Sequence, residues 1–172
     1  MGVEVDDVTE GDALDILVRF IESGDPRRVV TPNPEIVMLA QRDPGYRALL
    51  NSSDLRVPDG IGLLLASAAQ GDRIKEHVRA TDLVLRLASI SSVRGWRWFL
   101  LGAAPGVAAE AGQWLSQRFP GLEIAGAVPG SPDPASDLEL REAIRAAAPV
   151  HVLLVAYGAP KQERWIARNQ AA

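Results

Sequence analysis

Cysteine is missing from all 172 residues, which excludes a disulfide framework and a thiolate metal site and leaves the redox compartment open. Lysine is nearly missing too: Lys75 and Lys161 stand alone, and the more numerous arginines are scattered. With a formal net charge of -4, the chain offers no basic footprint for nucleic acid and no polybasic patch for a membrane. Long apolar runs are lacking, since Ile61-Gly62-Leu63-Leu64-Leu65-Ala66 ends well short of the ~20 residues a bilayer span needs. The first residues, Met1 to Asp7, are acidic and lead into no apolar run, so they do not read as a signal peptide. These absences predict a soluble, cytoplasmic protein without a nucleic-acid partner.

Familiar catalytic signatures are absent as well. No group of His, Cys and carboxylates has metal-ligand spacing, and no Asp-x-Asp pair ends a strand to hold a divalent cation on a diphosphate. There is no Gly-x-Ser-x-Gly elbow and no Gly-x-Gly-x-x-Gly fingerprint, which argues against a nicotinamide-dependent oxidoreductase. No cofactor and no metal ligand are assigned. What chemistry remains is a lone carboxylate as general base, with backbone N–H groups and cationic side chains stabilising a charged leaving group.

What is present is an ordinary globular balance, 47% hydrophobic and 23% charged, in a length that suits one domain with a real core. Val3 to Val5 reads as a strand, followed by a helix capped at Thr9 with Asp12 in its first turn. Arg28 to Thr31 is a strand, and Asn33-Pro34 starts the next helix. Tyr46 to Asn51 gives a further helical turn or two, Asp54 to Val57 a strand, and Ile61 begins an apolar helix. Arg73 to Ala80 is polar and irregular and reads as a surface loop, after which Thr81 is a plausible cap for a helix through Ile90. Trp96 to Leu101 is a strand, and Val107, Ala111, Trp114 and Leu115 share a face of the helix after it. Leu122 to Val128 is another strand, Pro129 to Pro134 a loop, and Leu138 to Ala148 a helix. Val150 to Ala156 is a nearly continuous apolar strand of the kind buried on both faces, and a last helix starts near Pro160. This alternation predicts a single α/β domain of Rossmann-like character, with a mainly parallel sheet and helices on both faces.

Right-handed crossovers bring strand-to-helix turns to the carboxyl edge, where open α/β sheets place ligands. Three junctions there carry polar side chains. Pro58-Asp59-Gly60 sets Asp59 at the end of a strand, although helix capping alone would account for it. Capping also accounts for Asn33, and Thr31 is an ordinary strand residue. Gly158-Ala159-Pro160-Lys161-Gln162-Glu163 is more distinctive: Lys161 suits a phosphate and Gln162 a sugar or base, while Glu163 favours the helix dipole. A fourth turn, Gly102-Ala103-Ala104-Pro105-Gly106, exposes backbone N–H groups suited to a diphosphate, though its spacing matches no known phosphate fingerprint. His151 alternates with apolar residues and reads as packed or edge-facing, and His77 lies in a polar segment where solvation alone explains it.

Five segments together resemble the WecG/TagA/CpsF glycosyltransferases of bacterial surface-polymer synthesis: Thr31-Pro32-Asn33-Pro34-Glu35, Pro58-Asp59-Gly60-Ile61-Gly62, Thr81-Asp82-Leu83, Leu101-Gly102-Ala103-Ala104-Pro105-Gly106 and Gly158-Ala159-Pro160-Lys161-Gln162-Glu163. The resemblance runs from the first strand to the end of the chain. It implies an inverting, metal-independent transfer of a sugar, often N-acetylmannosamine, from a UDP-sugar to a polyprenyl-diphosphate-linked acceptor in cell wall, teichoic acid or exopolysaccharide synthesis. Asp59 then matches the general base, and His77 and Arg79 lie where the family carries an arginine. Thr31, Asn33, Asp82, Lys161 and Gln162 fall among the substrate-binding positions, with Gly102 and Gly106 near the nucleotide.

Two departures stand out. Where the family has Arg-Val-x-Gly, this chain reads His77-Val78-Arg79-Ala80, and an imidazole is not equivalent to a permanent cation. The loop at Gly130-Ser131 also lacks an aromatic residue common there. Family members continue past Ala172 with a segment that closes the site and touches the membrane. The resemblance therefore implies a homo-oligomer, a peripheral membrane enzyme on the cytoplasmic side in full-length form, and weak nucleotide binding with little turnover for the chain as it stands. The rival expectation is a non-catalytic nucleotide-sugar-binding module of the same fold.

Overall fold

The computed structural model describes residues 2–69, 71 and 74–170, and the chain divides into two compact units, 1–86 and 87–172. Both are mixed α/β, with parallel strands flanked by helices, as a Rossmann-like reading expects.

In the first unit, Thr9 and Asp12 form a reciprocal capping box at the start of α1, Glu10–Ser23, and Gly24 closes the helix in the left-handed conformation. The Thr9 N–H and side chain hold the Asp12 carboxyl below the usual carboxylate range. Strands β1, Val29–Val30, and β2, Leu55–Arg56, pair in parallel with Val29 opposite Leu55. Between them lie α2, Pro34–Arg42, and α3, Pro44–Asn51, each opened by a capping side chain, Asn33 or Asp43, followed by proline. Helix α4, Ile61–Ala69, follows β2, and α5, Ala80–Arg94, runs on through the unit boundary. The core gathers Val8, Ala13, Leu55, Val57, Val78 and Leu83.

Three expectations change here. No strand forms at Val3 to Val5. The segment is instead tied by Glu4 N–H to the Asn51 amide oxygen and by Asp6 N–H to the Arg56 carbonyl, too few ladder bonds for a strand. The stretch before α5 is not simply a polar surface loop, because Val78 is fully buried and its N–H donates to the Pro58 carbonyl. Arg73, at the start of that expected loop, lies outside the described residues. That anchor also moves the helix start: α5 begins at Ala80 with Leu83 N–H bonded to the Arg79 carbonyl, so Thr81 is an exposed helical residue and not a cap.

Some arginines that look scattered in sequence are internal staples. Arg28 is buried, with Nε on Ser53 Oγ and one Nη on Ser52 Oγ. Arg56 donates to the Asn51 and Ser53 carbonyls and to Asp6 at 2.6 Å.

The second unit is built on β3, Arg97–Gly102, flanked in parallel by β4, Glu123–Val128, and β5, Val152–Ala156. Helices α6, Val107–Arg118, α7, Asp137–Ala146, and α8, Lys161–Asn169, connect and follow them. The strand buried along its length is the central β3; β5 is an edge strand of this unit with Leu153 exposed, which corrects the expectation that this apolar strand is buried on both faces. The face of α6 is corrected too. Ala108, Gly112 and Leu115 point inward, while Val107 and Trp114 are exposed. A Cβ at Gly112 would stand 3.2 Å from Ile124 and 3.4 Å from Leu100, so the contact with the sheet depends on small residues that a search for bulky apolar ones passes over.

Candidate functional site

Each unit carries its own polar edge at the carboxyl ends of its strands. In the first, the pairing of β1 and β2 continues past the strands: Val57 N–H donates to the Val30 carbonyl and Asp59 N–H to the Pro32 carbonyl at 2.9 Å. Two parallel chain segments thus leave the sheet together, and the Thr31-Pro32-Asn33 and Pro58-Asp59-Gly60 junctions lie side by side. Gly60, at a φ of 102°, permits the close approach, since a Cβ there would lie 3.1 Å from Pro34. Pro32, Val57 and Pro58 are fully buried, so the backbone carrying Asp59 is packed from behind.

The Asp59 carboxylate does not serve as a helix cap by any hydrogen bond among the described residues. Its Oδ1 faces Nε2 of His77 at 3.7 Å, with both side chains about three-quarters buried. The Val78 to Pro58 hydrogen bond holds the two segments in this register. His77 is therefore not a solvated loop residue. Asn33 spends its Oδ1 on the Ile36 N–H at 2.9 Å; its capping role is real, which leaves its amide nitrogen for other partners. Thr31 follows β1 directly and is half-buried, Asp82 sits in the first turn of α5, and Arg79 is exposed just before that helix.

In the second unit, β3 and β5 end in register, Gly102 opposite Ala156, and Ala103 N–H donates to the Ala156 carbonyl at 2.8 Å. The turns after β3 and β5 therefore share one edge. Gly102, Ala103 and Gly106 have φ values of 111°, 63° and 90°. Positive φ at an alanine is strained, and such strain is typical of loops that serve a site. Gly106 caps α6 with no side-chain hydrogen bond, which leaves first-turn N–H groups for an anion. Glu110 in that turn already offers a negative charge and would compete with one.

At the other turn, Gly158 adopts a φ of 75° before the cis Ala159–Pro160 bond. Lys161 and Gln162 N–H groups both donate to the Gly158 carbonyl, and the Gly158 N–H donates back to Gln162 Oε1 at 3.0 Å. Lys161 is exposed. Glu163 is the residue that the sequence reading undervalued: it is 3% exposed and accepts from Gln162 Nε2 at 2.9 Å. Its position three residues before Ile166, which packs in the core, was the available signal. Behind the turn, the Tyr157 phenol is pushed up to about 12 by burial and by the nearby Asp137 charge. His151 is exposed at the start of β5, where its Nδ1 accepts the Arg97 N–H.

Among the described residues no helix is long and apolar enough to cross a membrane, and no group of three or more His, Cys, Asp or Glu could hold a metal.

Known proteins are similar to this chain in sequence. An N-acetylglucosaminyldiphosphoundecaprenol N-acetyl-beta-D-mannosaminyltransferase of Bacillus spizizenii is 36% identical over 80% of this chain and 52% of its own length. Proteins of the same name are 31% identical in Bacillus subtilis, over 80% of this chain and 53% of theirs, and 30% identical in Staphylococcus aureus, over 99% and 66%. The chain thus spans about half to two thirds of the length of these relatives. A family profile matches the chain from residue 1 to residue 172, so the junctions described above belong to a member of the glycosyl transferase WecG/TagA/CpsF family.

Proposed function

We propose that this chain is the core of a glycosyltransferase that moves N-acetylmannosamine or a related hexose from a UDP-sugar to a polyprenyl-diphosphate-linked acceptor in cell-wall or teichoic acid synthesis. The relatives' names supply the transferred sugar and the acceptor class. The observation that carries the reading is the Asp59–His77 pair at 3.7 Å, set at the carboxyl end of parallel strands on a buried backbone. Asp59 takes the proton of the acceptor hydroxyl as its oxygen attacks the anomeric carbon. The bond from that carbon to the diphosphate breaks with inversion, and the electron pair leaves on the diphosphate oxygen.

His77 and the exposed Arg79 are the cationic groups that this unit offers to the developing diphosphate charge. Thr31, Asn33 and Asp82 are proposed contacts for sugar or acceptor hydroxyls. Gly102, Gly106, Lys161 and Gln162 are proposed for the nucleotide diphosphate, with charge stabilised by N–H groups and side chains in place of a metal. A membrane-surface location and self-association belong to the same proposal.

The test is calorimetric binding of UDP and a panel of UDP-sugars, with chelator and then with magnesium, to this chain and to Asp59→Asn. The expected result is saturable UDP binding that needs no metal and survives the substitution. Absence of any UDP binding would overturn the donor assignment. Binding by this chain, with no transfer even when the chain is extended to the length of its relatives, would favour a nucleotide-sugar-binding module. The replacement of the family arginine by His77 points the same way.

A further inference from the structure

The first turn of α8 holds a buried carboxylate that the mechanism does not use. Glu163 is 3% exposed; its Oε1 accepts from Gln162 Nε2, and its Oε2 has no hydrogen-bond partner among the described residues. Leaving a buried carboxylate oxygen unpaired is unfavourable by about 1–3 kcal/mol or more, so a purely structural side chain at this position would be better apolar. Helix capping does not account for it either, because the N-cap of α8 is Pro160, which has no N–H for Glu163 to accept, and no side-chain capping bond forms there.

The geometry does account for Gln162. Gly158 presents a donor to one end of the Gln162 amide, and Glu163 presents an acceptor to the other. An amide side chain can be turned over at little change in shape, so its orientation is set by its partners. Here the two partners have opposite and fixed polarity, and only one orientation satisfies both. With Oε1 on Gly158 and one Nε2–H on Glu163, the second Nε2–H points in one direction from a half-buried side chain at the strand-end edge.

We propose that Glu163 is a positioning residue, fixing the Gln162 amide so that its remaining N–H is aimed at an acceptor oxygen of the bound nucleoside diphosphate. This rests on the donor reading of the Gly158 to Gln162 turn. Glu163 itself touches no ligand; it removes the alternative amide orientation, in which a carbonyl oxygen would face the phosphate or carbonyl oxygen of the ligand and repel it.

The experiment compares Glu163→Met, which keeps length and removes the acceptor, and Glu163→Gln, which restores an amide, each alone and combined with Gln162→Ala. Amide exchange at Gly158 and the Gln162 side-chain resonances are followed by NMR without ligand, and UDP affinity by calorimetry. Glu163→Met is expected to speed Gly158 exchange and weaken UDP binding about tenfold, Glu163→Gln to recover part of both, and Glu163→Met to add under about twofold once Gln162 is alanine. Equal weakening in both backgrounds would overturn the inference, since Glu163 would then act through the fold at large. Unchanged Gly158 exchange in Glu163→Met would overturn it without reference to any ligand. Failure of the wild type to bind UDP, with the exchange coupling intact, would instead overturn the donor reading and with it the role assigned to the free N–H.

Discussion

His77 Nε2 stands 3.7 Å from Asp59 Oδ1, and the two are held there by the hydrogen bond from Val78 N–H to the Pro58 carbonyl. The carboxylate and the imidazole are thus adjacent because two backbone segments are pinned together, not because the side chains are adjacent in sequence. With Asp59 as the proposed proton acceptor, Asp59→Asn lowers sugar transfer by about 10²–10⁴-fold in a chain extended to its relatives' length, while UDP affinity of the 172-residue chain stays within about twofold. Joint loss of affinity and transfer would instead mark Asp59 as a binding or folding residue.

Replacing His77 by arginine puts a permanent cation beside the Asp59 carboxylate, where an imidazole now stands at 3.7 Å. The expected outcome is tighter UDP binding by about three- to tenfold at low salt, a gain that shrinks as salt is raised because an added charge is screened. Calorimetry across a salt series checks it, and equal affinity of the two forms at low salt would remove His77 from the diphosphate's surroundings.

Asp137 and Arg168 tie the start of α7 to the end of α8 through two hydrogen bonds of 2.5 and 3.0 Å. The Arg168 hydrogen bonds hold the Asp137 carboxyl below its ordinary value against the opposing effect of burial. A depressed carboxylate contributes stability above its unfolded value, near 3.9, and loses it as pH falls through the lower folded value. Arg168→Met is therefore expected to destabilise the chain by about 1–2 kcal/mol at pH 7, with the difference shrinking as pH is lowered below about 4. Urea melts of both proteins at pH 7 and pH 3 provide the comparison, and a pH-independent difference would assign the loss to packing.

Trp98 and Ser91 are both fully buried, and the indole Nε1–H donates to Ser91 Oγ at 2.9 Å. Ser91→Ala strands that donor and should destabilise by about 1–3 kcal/mol. Trp98→Phe removes the donor, so in its background Ser91→Ala should be nearly neutral; additive effects in a double-mutant cycle would show that the bond contributes little.

Two glycines with left-handed backbone should respond differently to alanine. Among the described residues beyond its chain neighbours, nothing lies within 4 Å of where a Gly24 Cβ would stand, whereas a Cβ at Gly102 would stand 2.7 Å from the Ala156 carbonyl carbon and oxygen. Gly24→Ala is expected to lower stability by about 1 kcal/mol, the backbone term alone. Gly102→Ala should lower it by at least about 3 kcal/mol, because β5 has to move. Equal thermal shifts would mean that the two strand ends part readily.

Local chemistry was open to reading wherever neighbours along the chain decided the outcome. Thr9 with Asp12 and Asn33 with Pro34 announce their helices because capping groups bond N–H groups only three residues away. The parallel α/β pattern follows from strands alternating with helices, and Asp59 could be placed at a strand end for the same reason. The family pattern extends this reach to residues far apart, since its segments recur in order.

Burial and pairing are properties of three dimensions, and there the linear pattern gives out. Val150 to Ala156 has the apolar run of a strand buried on both faces, yet β5 is partly exposed and it is β3, paired on both sides, that is buried along its length. Trp114 has the bulk of a core residue, but Gly112 gives α6 its close approach to the sheet and Trp114 is left outside. Glu163 has the composition of a surface helix start and is instead buried against Gln162, and His77 reads as solvated and instead faces Asp59. Sequence by itself determined which residues could cap, turn and periodically face inward, because those energies depend on neighbours within a few positions. Only the tertiary structure decided which strand was enclosed, which carboxylate lost its water and which imidazole met a carboxylate, because each depends on segments brought together across tens of residues.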